Sequence, residues 1–194
     1  MKPYSLLSLG FILSLIGTLL LALTPPIALK SVTSFISGFS LPSILSLIIG
    51  VAALVICGTA SLLGGLILRG ISWALLARSS RAYLLGVTSI VMYVASIIIF
   101  FLNPLAGLKL LGGAILVEEL TLYYLIATSQ SAPVPVRLLI IAPSILLYGL
   151  LTLLDLVTAA LSLIAILILY SFILATSAAC LLYGVRYQSL GEVA

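Results

Sequence analysis

Apolar residues run along this chain in long stretches separated by short polar or proline-bearing breaks. The stretches have the length, about 20 residues, that a helix needs to cross a bilayer. Six predicted spans follow from the breaks. The first runs from Tyr4 to Leu23 and is expected to stop at Thr24-Pro25-Pro26. A signal peptide is the competing reading, but the stretch is longer than a signal h-region and no A-x-A site follows it. Ile27 to Pro42 mixes serines with Phe35, Ile36 and Phe39 and is expected to lie at the membrane interface. The second span covers Ser43 to Leu68. Arg69 to Arg81 then reads as an amphipathic surface segment, with Arg69, Arg78 and Arg81 set around Trp73 as an interfacial anchor. The third span, Ala82 to Leu102, ends at Asn103-Pro104, and the fourth runs from Leu105 to Ser129. Two prolines between Gln130 and Pro135 rule out a continuous helix there.

From Val136 to Tyr187 the chain is almost unbroken apolar. As one helix it would be roughly 75 Å long, more than twice the hydrocarbon thickness of about 30 Å, so it must fold back. The polar cluster of Thr152, Asp155 and Thr158 predicts the hairpin, dividing the run into spans Val136–Leu153 and Leu156–Gly184. Asp155 is expected to cap the last helix.

Composition narrows the reading. Apolar residues make up 64% of the chain and charged ones 6%, where a soluble domain carries about 45–50% and about 25%. Such a chain can neither coat a soluble globule nor stay disordered. The expected fold is therefore an all-α, polytopic transmembrane bundle of about six helices with short loops, a single membrane-embedded domain over residues 1–194, with the lipid bilayer as its first partner. There is no histidine, which removes the commonest metal ligand and general base. Cys57 and Cys180 lie in apolar stretches without CxxC spacing, and no nucleotide-binding or nucleophile-elbow motif is present. No enzyme, cofactor or metal is expected. The net charge of +4 is scattered at the ends of apolar runs rather than gathered in a stripe, which argues against nucleic acid.

If the spans alternate, Lys2, Arg69, Arg78, Arg81, Arg137 and Arg186 fall on one side and Lys30 and Lys109 on the other. The positive-inside rule then predicts cytoplasmic N- and C-termini, with the plasma membrane as the expected location. Tyr4, Trp73, Tyr83, Tyr183 and Tyr187 fall at the same boundary, as an aromatic belt would.

In lipid, small residues mark where helices approach closely. Stripes at four-residue spacing occur in the first span (Gly10, Ser14, Thr18, Ala22), the second (Ala53, Cys57, Ser61, Gly65) and the sixth (Ser171, Ala175, Ala179). They predict close packing of these three helices, within one chain or between copies or other subunits.

Two of the four acids, Glu118 and Glu119, are adjacent in the middle of the fourth span. One midplane acid costs about 2.5–3.5 kcal/mol on the insertion scale, so the pair must be buried, protonated, or matched by a cation or a basic partner. Adjacent helical positions point about 100° apart, so the two cannot share one groove equally. Lys109 lies too far along the helix to reach them. Tyr93 and Tyr170, at mid-depth in the third and sixth spans, and Tyr123, one turn beyond Glu119, are the predicted hydrogen-bond partners. Gly112 and Gly113 would let another helix come close. These residues point to a small secondary transporter or an ion- or proton-handling protein centred on Glu118 and Glu119. The rival reading is a non-catalytic membrane subunit or scaffold of a larger complex. A glutamate pair facing into the bundle favours the first, and one facing lipid favours the second.

Overall fold

The structure, a computed structural model, describes residues 3–36, 41–129, 134–153 and 163–191. Among these the chain is an all-α bundle: α1 (Pro3–Ile36), α2 (Leu41–Ala77), α3 (Leu84–Leu102), α4 (Pro104–Ser129), α5 (Val134–Leu153) and α6 (Leu163–Gly191). One 3₁₀ turn, Arg81–Tyr83, links α2 to α3. Pro3–Thr24, Ile48–Ala77, Arg81–Leu102 and Pro104–Thr128 are each long and apolar enough to cross a membrane, and Leu138–Thr152 and Ile166–Leu182 are shorter apolar helices. Ile56, Ile67, Phe101 and Leu102 stand on the outside, an apolar surface suited to lipid rather than water.

Two predicted helix ends are corrected. Thr24-Pro25-Pro26 does not stop the first helix, which continues to Ile36. A proline removes one backbone donor and frees a carbonyl one turn back, and neighbouring hydroxyls can satisfy such carbonyls in apolar surroundings. The Thr24 hydroxyl bonds back to the Leu20 carbonyl at 3.2 Å, a contact within the helix that is separate from the Leu21 and Ala22 carbonyls the prolines leave without an N–H. Arg69 does not end the second helix either, because α2 runs on to Ala77. The turn that follows is closed by Ser79 and Ser80, whose backbone N–H groups reach the Leu76 carbonyl at 2.9 and 3.3 Å. Between α3 and α4 the break falls at Asn103, whose side-chain oxygen accepts the Ala106 N–H at 3.1 Å, an N-terminal cap for α4. The hairpin expected at 152–158 and the capping role of Asp155 lie outside the described residues, apart from Thr152 and Leu153 in the last turn of α5.

Close packing of the first, second and last helices is present: α1 lies against α2 and against α6. The seam between α1 and α2 differs from the predicted stripes. A Cβ on Gly17 would stand 2.6 Å from the Gly58 carbonyl oxygen and 2.7 Å from the Leu62 nitrogen. One on Gly65 would stand 2.7 Å from the Gly10 carbonyl oxygen and from the Ser14 nitrogen. The backbones therefore touch at Gly10/Gly65 and Gly17/Gly58, an antiparallel register with both glycine pairs one heptad apart. Ala53 and Cys57 are exposed, Ser61 and Ala22 are half-buried, and in α6 Ser171 is buried while Ala175 is half-buried and Ala179 is exposed. A strict four-residue step rotates by about 40° each time, whereas a heptad drifts only about 20°. The α1 stripe stays buried over Gly10, Ser14 and Thr18, whereas the α2 stripe meets the seam at Gly65 and has wound out of it by Cys57 and Ala53.

Candidate functional site

The second and fourth helices meet at the charged centre of the bundle. Arg69 and Trp73 are one turn apart on the same face of α2, and both are buried, at 1% and 0% exposure. Arg69 Nη1 donates to Glu118 Oε2 at 2.7 Å, and Trp73 Nε1 donates to Glu118 Oε1 at 3.0 Å. Each carboxylate oxygen thus has its own donor, and the shorter contact has the length of a charge-assisted bond. This is the one salt bridge among the described residues. The guanidinium carbon lies 5.1 Å from the ring centroids of both Phe11 in α1 and Tyr93 in α3, within cation–π range on two sides.

Glycines make the room for this arrangement. A Cβ on Gly10 would come within 2.7 Å of Arg69 Cγ, and one on Gly86 of α3 would strike the Trp73 ring. Trp73 continues the cluster toward the end of the bundle, with its ring 6.4 Å from that of Tyr83, itself 6.0 Å from Tyr124.

Glu119 takes a different groove, as its position one residue on requires. It is buried at 1% exposure, and Ser177 Oγ of α6 donates to its Oε2 at 2.7 Å. Ser177 belongs to the buried line Ile173, Leu174, Ser177, Ala178, Leu181 of α6, the spacing of a helix face turned into a core.

The predicted partners are redistributed. Tyr93 is buried in the centre, but it stacks on Arg69 rather than hydrogen-bonding a glutamate. Tyr170 lines the same cavity as Arg69. Tyr123 is half-buried and makes no hydrogen bond to Glu119 among the described residues. Gly112 does admit a neighbouring helix: a Cβ there would lie 2.9 Å from Leu151 Cδ1 of α5. The residue that sequence reasoning misplaced is Arg69. An arginine at the end of an apolar run reads as an interfacial charge, and so does a tryptophan nearby. Their four-residue spacing, with no proline or polar cluster between Leu68 and Ala77, was the signal that both could face one buried partner. Neither is a surface anchor.

Next to the charged centre is a cavity of about 260 Å³. All six helices line it, through Thr18, Leu66, Tyr93, Leu111, Leu147 and Tyr170 among others, and Arg69 forms part of its wall. Glu118 and Glu119 stand behind that wall, outside the lining. Leu63 of α2 and Ile97 of α3 also line the cavity and are about half exposed, so this side of it faces the surroundings of the bundle. Depth follows from α3 and α4. Tyr93 lies near the middle of Arg81–Leu102, and Glu118 near the middle of Pro104–Thr128.

Comparison with known proteins finds no matching family model, no matching curated protein and no matching solved structure.

Proposed function

We propose that this chain is a small secondary transporter or proton-handling protein of the plasma membrane, working through the centre formed by Arg69, Glu118 and Glu119. The observation that carries this reading is one guanidinium and two carboxyls enclosed together in the bundle beside a cavity that every helix lines. Charged groups at mid-depth are costly to bury, and in membrane proteins they mark ion and substrate pathways. The glutamates face into the bundle rather than toward lipid, which favours a self-sufficient carrier over a subunit awaiting its partner.

Charge counting separates the two acids. Arg69 matches Glu118, so the centre has room for one further positive charge, a proton or a small cation, and Glu119 is the group that takes it. Glu118 is the fixed member, held by two donors from α2. Among the described residues the Glu119 carboxylate accepts from Ser177 alone, a single neutral donor that lets a proton come and go. With Arg69 assigned to the interior, the remaining basic residues divide as Lys2, Arg78, Arg81, Arg137 and Arg186 against Lys30 and Lys109. The bias still supports cytoplasmic termini.

The test is proton movement into proteoliposomes carrying a trapped pH-sensitive dye, driven by an imposed pH gradient. The wild-type chain is expected to collapse the gradient faster than empty vesicles do. Glu119→Gln, which keeps an oxygen to accept from Ser177, should fall to the empty-vesicle rate while still inserting and folding. Equal rates for Glu119→Gln and the wild type would overturn the assignment.

A further inference from the structure

The seam between α2 and α3 is closed at one end and open at the other. Near the turn that joins them the helices touch: a Cβ on Gly70 would stand 3.4 Å from Ile90 Cγ2, and one on Gly86 would strike the Trp73 ring. The pairs Trp73/Gly86 and Gly70/Ile90 set an antiparallel register, and continuing it brings Leu63 opposite Ile97. Large side chains facing each other across a closed seam would cover one another. Leu63 is nevertheless 53% and Ile97 47% exposed. Both line the cavity beside Arg69, so the cavity opens sideways through this gap onto the apolar outside of the bundle.

Its interior is hydrocarbon in character. Leu66, Leu111 and Tyr170 line it and are half-buried although packed against core residues, so they present surface to the cavity. The polar groups of the wall are engaged elsewhere. The Thr18 hydroxyl is spent on the Ser14 carbonyl at 2.8 Å, and the Arg69 guanidinium is taken up by Glu118, Phe11 and Tyr93. Such a wall offers water no partners, and an empty space would leave the lining without van der Waals contacts. The lining stretches Leu62 to Arg69 on α2 and Leu108 to Ile115 on α4 each cover roughly 10 Å along the axis. One leaflet contributes roughly 15 Å of hydrocarbon, half of the bilayer core.

We propose that this cavity binds the acyl chain of a membrane lipid, which enters between α2 and α3 past Leu63 and Ile97 and lies against Leu66, Leu111 and Tyr170. The headgroup stays outside the bundle. The occupant follows from the mouth, which opens near mid-depth, where Tyr93 lies and acyl chains are the solvent. It follows also from size, since about 260 Å³ exceeds the roughly 150 Å³ cavity known to take benzene. A flexible chain fills an irregular space bounded by six helices, whereas a polar ligand finds nothing there to bond. The proposal is independent of the carrier reading and stands whether or not Glu119 exchanges a proton.

Photolabelling of the full chain in phosphatidylcholine vesicles tests this, with a fraction of the lipid carrying a diazirine at the methyl end of one acyl chain. Illumination yields a carbene that inserts into the nearest C–H or O–H bond, and peptide mass spectrometry locates the adduct. Adducts are expected on Leu66, Leu111 and Tyr170 as well as on outward residues such as Ile56. Leu111→Trp, which fills the cavity, should lower the adducts on Leu66 and Tyr170 at least about tenfold relative to those on Ile56, the scale of effect that overpacking has on occupancy. Ile97→Trp narrows the mouth from a half-exposed position and should do the same without altering the interior. Ile56 labelling that persists in both variants shows that the chain is still inserted. Labelling confined to outward residues in the wild type, or cavity adducts that survive either substitution, would overturn the proposal.

Discussion

Arg69→Met alone will destabilise the folded chain by about 3–5 kcal/mol, the cost of leaving one member of a buried ion pair without the other. The combination Arg69→Met with Glu118→Met will recover a substantial part of that loss. The reasoning is electrostatic. Glu118 is at 0% exposure, so when the guanidinium is removed the carboxylate has, among the described residues, only Trp73 Nε1 to meet it. Replacing both charges with side chains of similar volume removes the uncompensated charge itself, and buried pairs treated this way often lose little or even gain. A residual penalty of about 1–3 kcal/mol should remain in the double variant, because the Trp73 N–H then has no acceptor. Trp73 is the single tryptophan, so its fluorescence reports this very site during equilibrium unfolding in mixed micelles. A single Arg69→Met variant as stable as the parent would show that the pair does not hold α2 to α4.

The second large effect is steric. Gly65→Ala places a methyl group 2.7 Å from the Gly10 carbonyl oxygen and the Ser14 nitrogen, well inside contact distance. Backbone atoms cannot rotate aside as a side chain can, so α1 and α2 must separate along the seam. Overpacking of this kind costs typically 1–3 kcal/mol, and the upper end is expected here. The damage extends beyond the seam, because Arg69 lies one turn from Gly65 and its stem rests on Gly10. Gly50→Ala is the matched control. A Cβ there meets nothing within 4 Å, and the alanine gains up to about 1 kcal/mol of helix propensity. Unfolding midpoints of the two variants should move in opposite directions. Parallel shifts would contradict the close approach of the two helices.

Much of the architecture is legible in the chain because apolar run length is a local property. The positions of α3 and α4, the break at Asn103, and the mid-span location of Glu118 and Glu119 all follow from residues next to one another. So does the divergence of the two glutamates into separate grooves, which is helix geometry alone. The partners of those glutamates are not local. Arg69 is separated from Glu118 by 49 positions and Ser177 from Glu119 by 58, and nothing in either segment states which helix stands opposite. A charge after an apolar run has two physical resolutions, reaching the interface or finding an opposite charge. The first is the commoner, and Arg69 takes the second. The small-residue stripes hold in part: Gly10, Ser14, Thr18 and Gly65 are buried, while Ala53 and Cys57 satisfy a spacing of four that rotates off the contact line. Pro25 and Pro26 mislead because a proline's missing hydrogen bond weakens a helix without necessarily ending it.

The division of labour between the two glutamates is the centre of this account, and infrared difference spectroscopy of the purified chain during a pH jump tests it most directly. A carboxyl that takes up or releases a proton gives a C=O stretching band that a permanently paired carboxylate does not. The wild-type chain should show one such buried-carboxyl band, shifted in frequency in Ser177→Ala and absent in Glu119→Gln. A band that persists in Glu119→Gln, or no buried-carboxyl band at all, would contradict the assignment of Glu119 as the exchanging group.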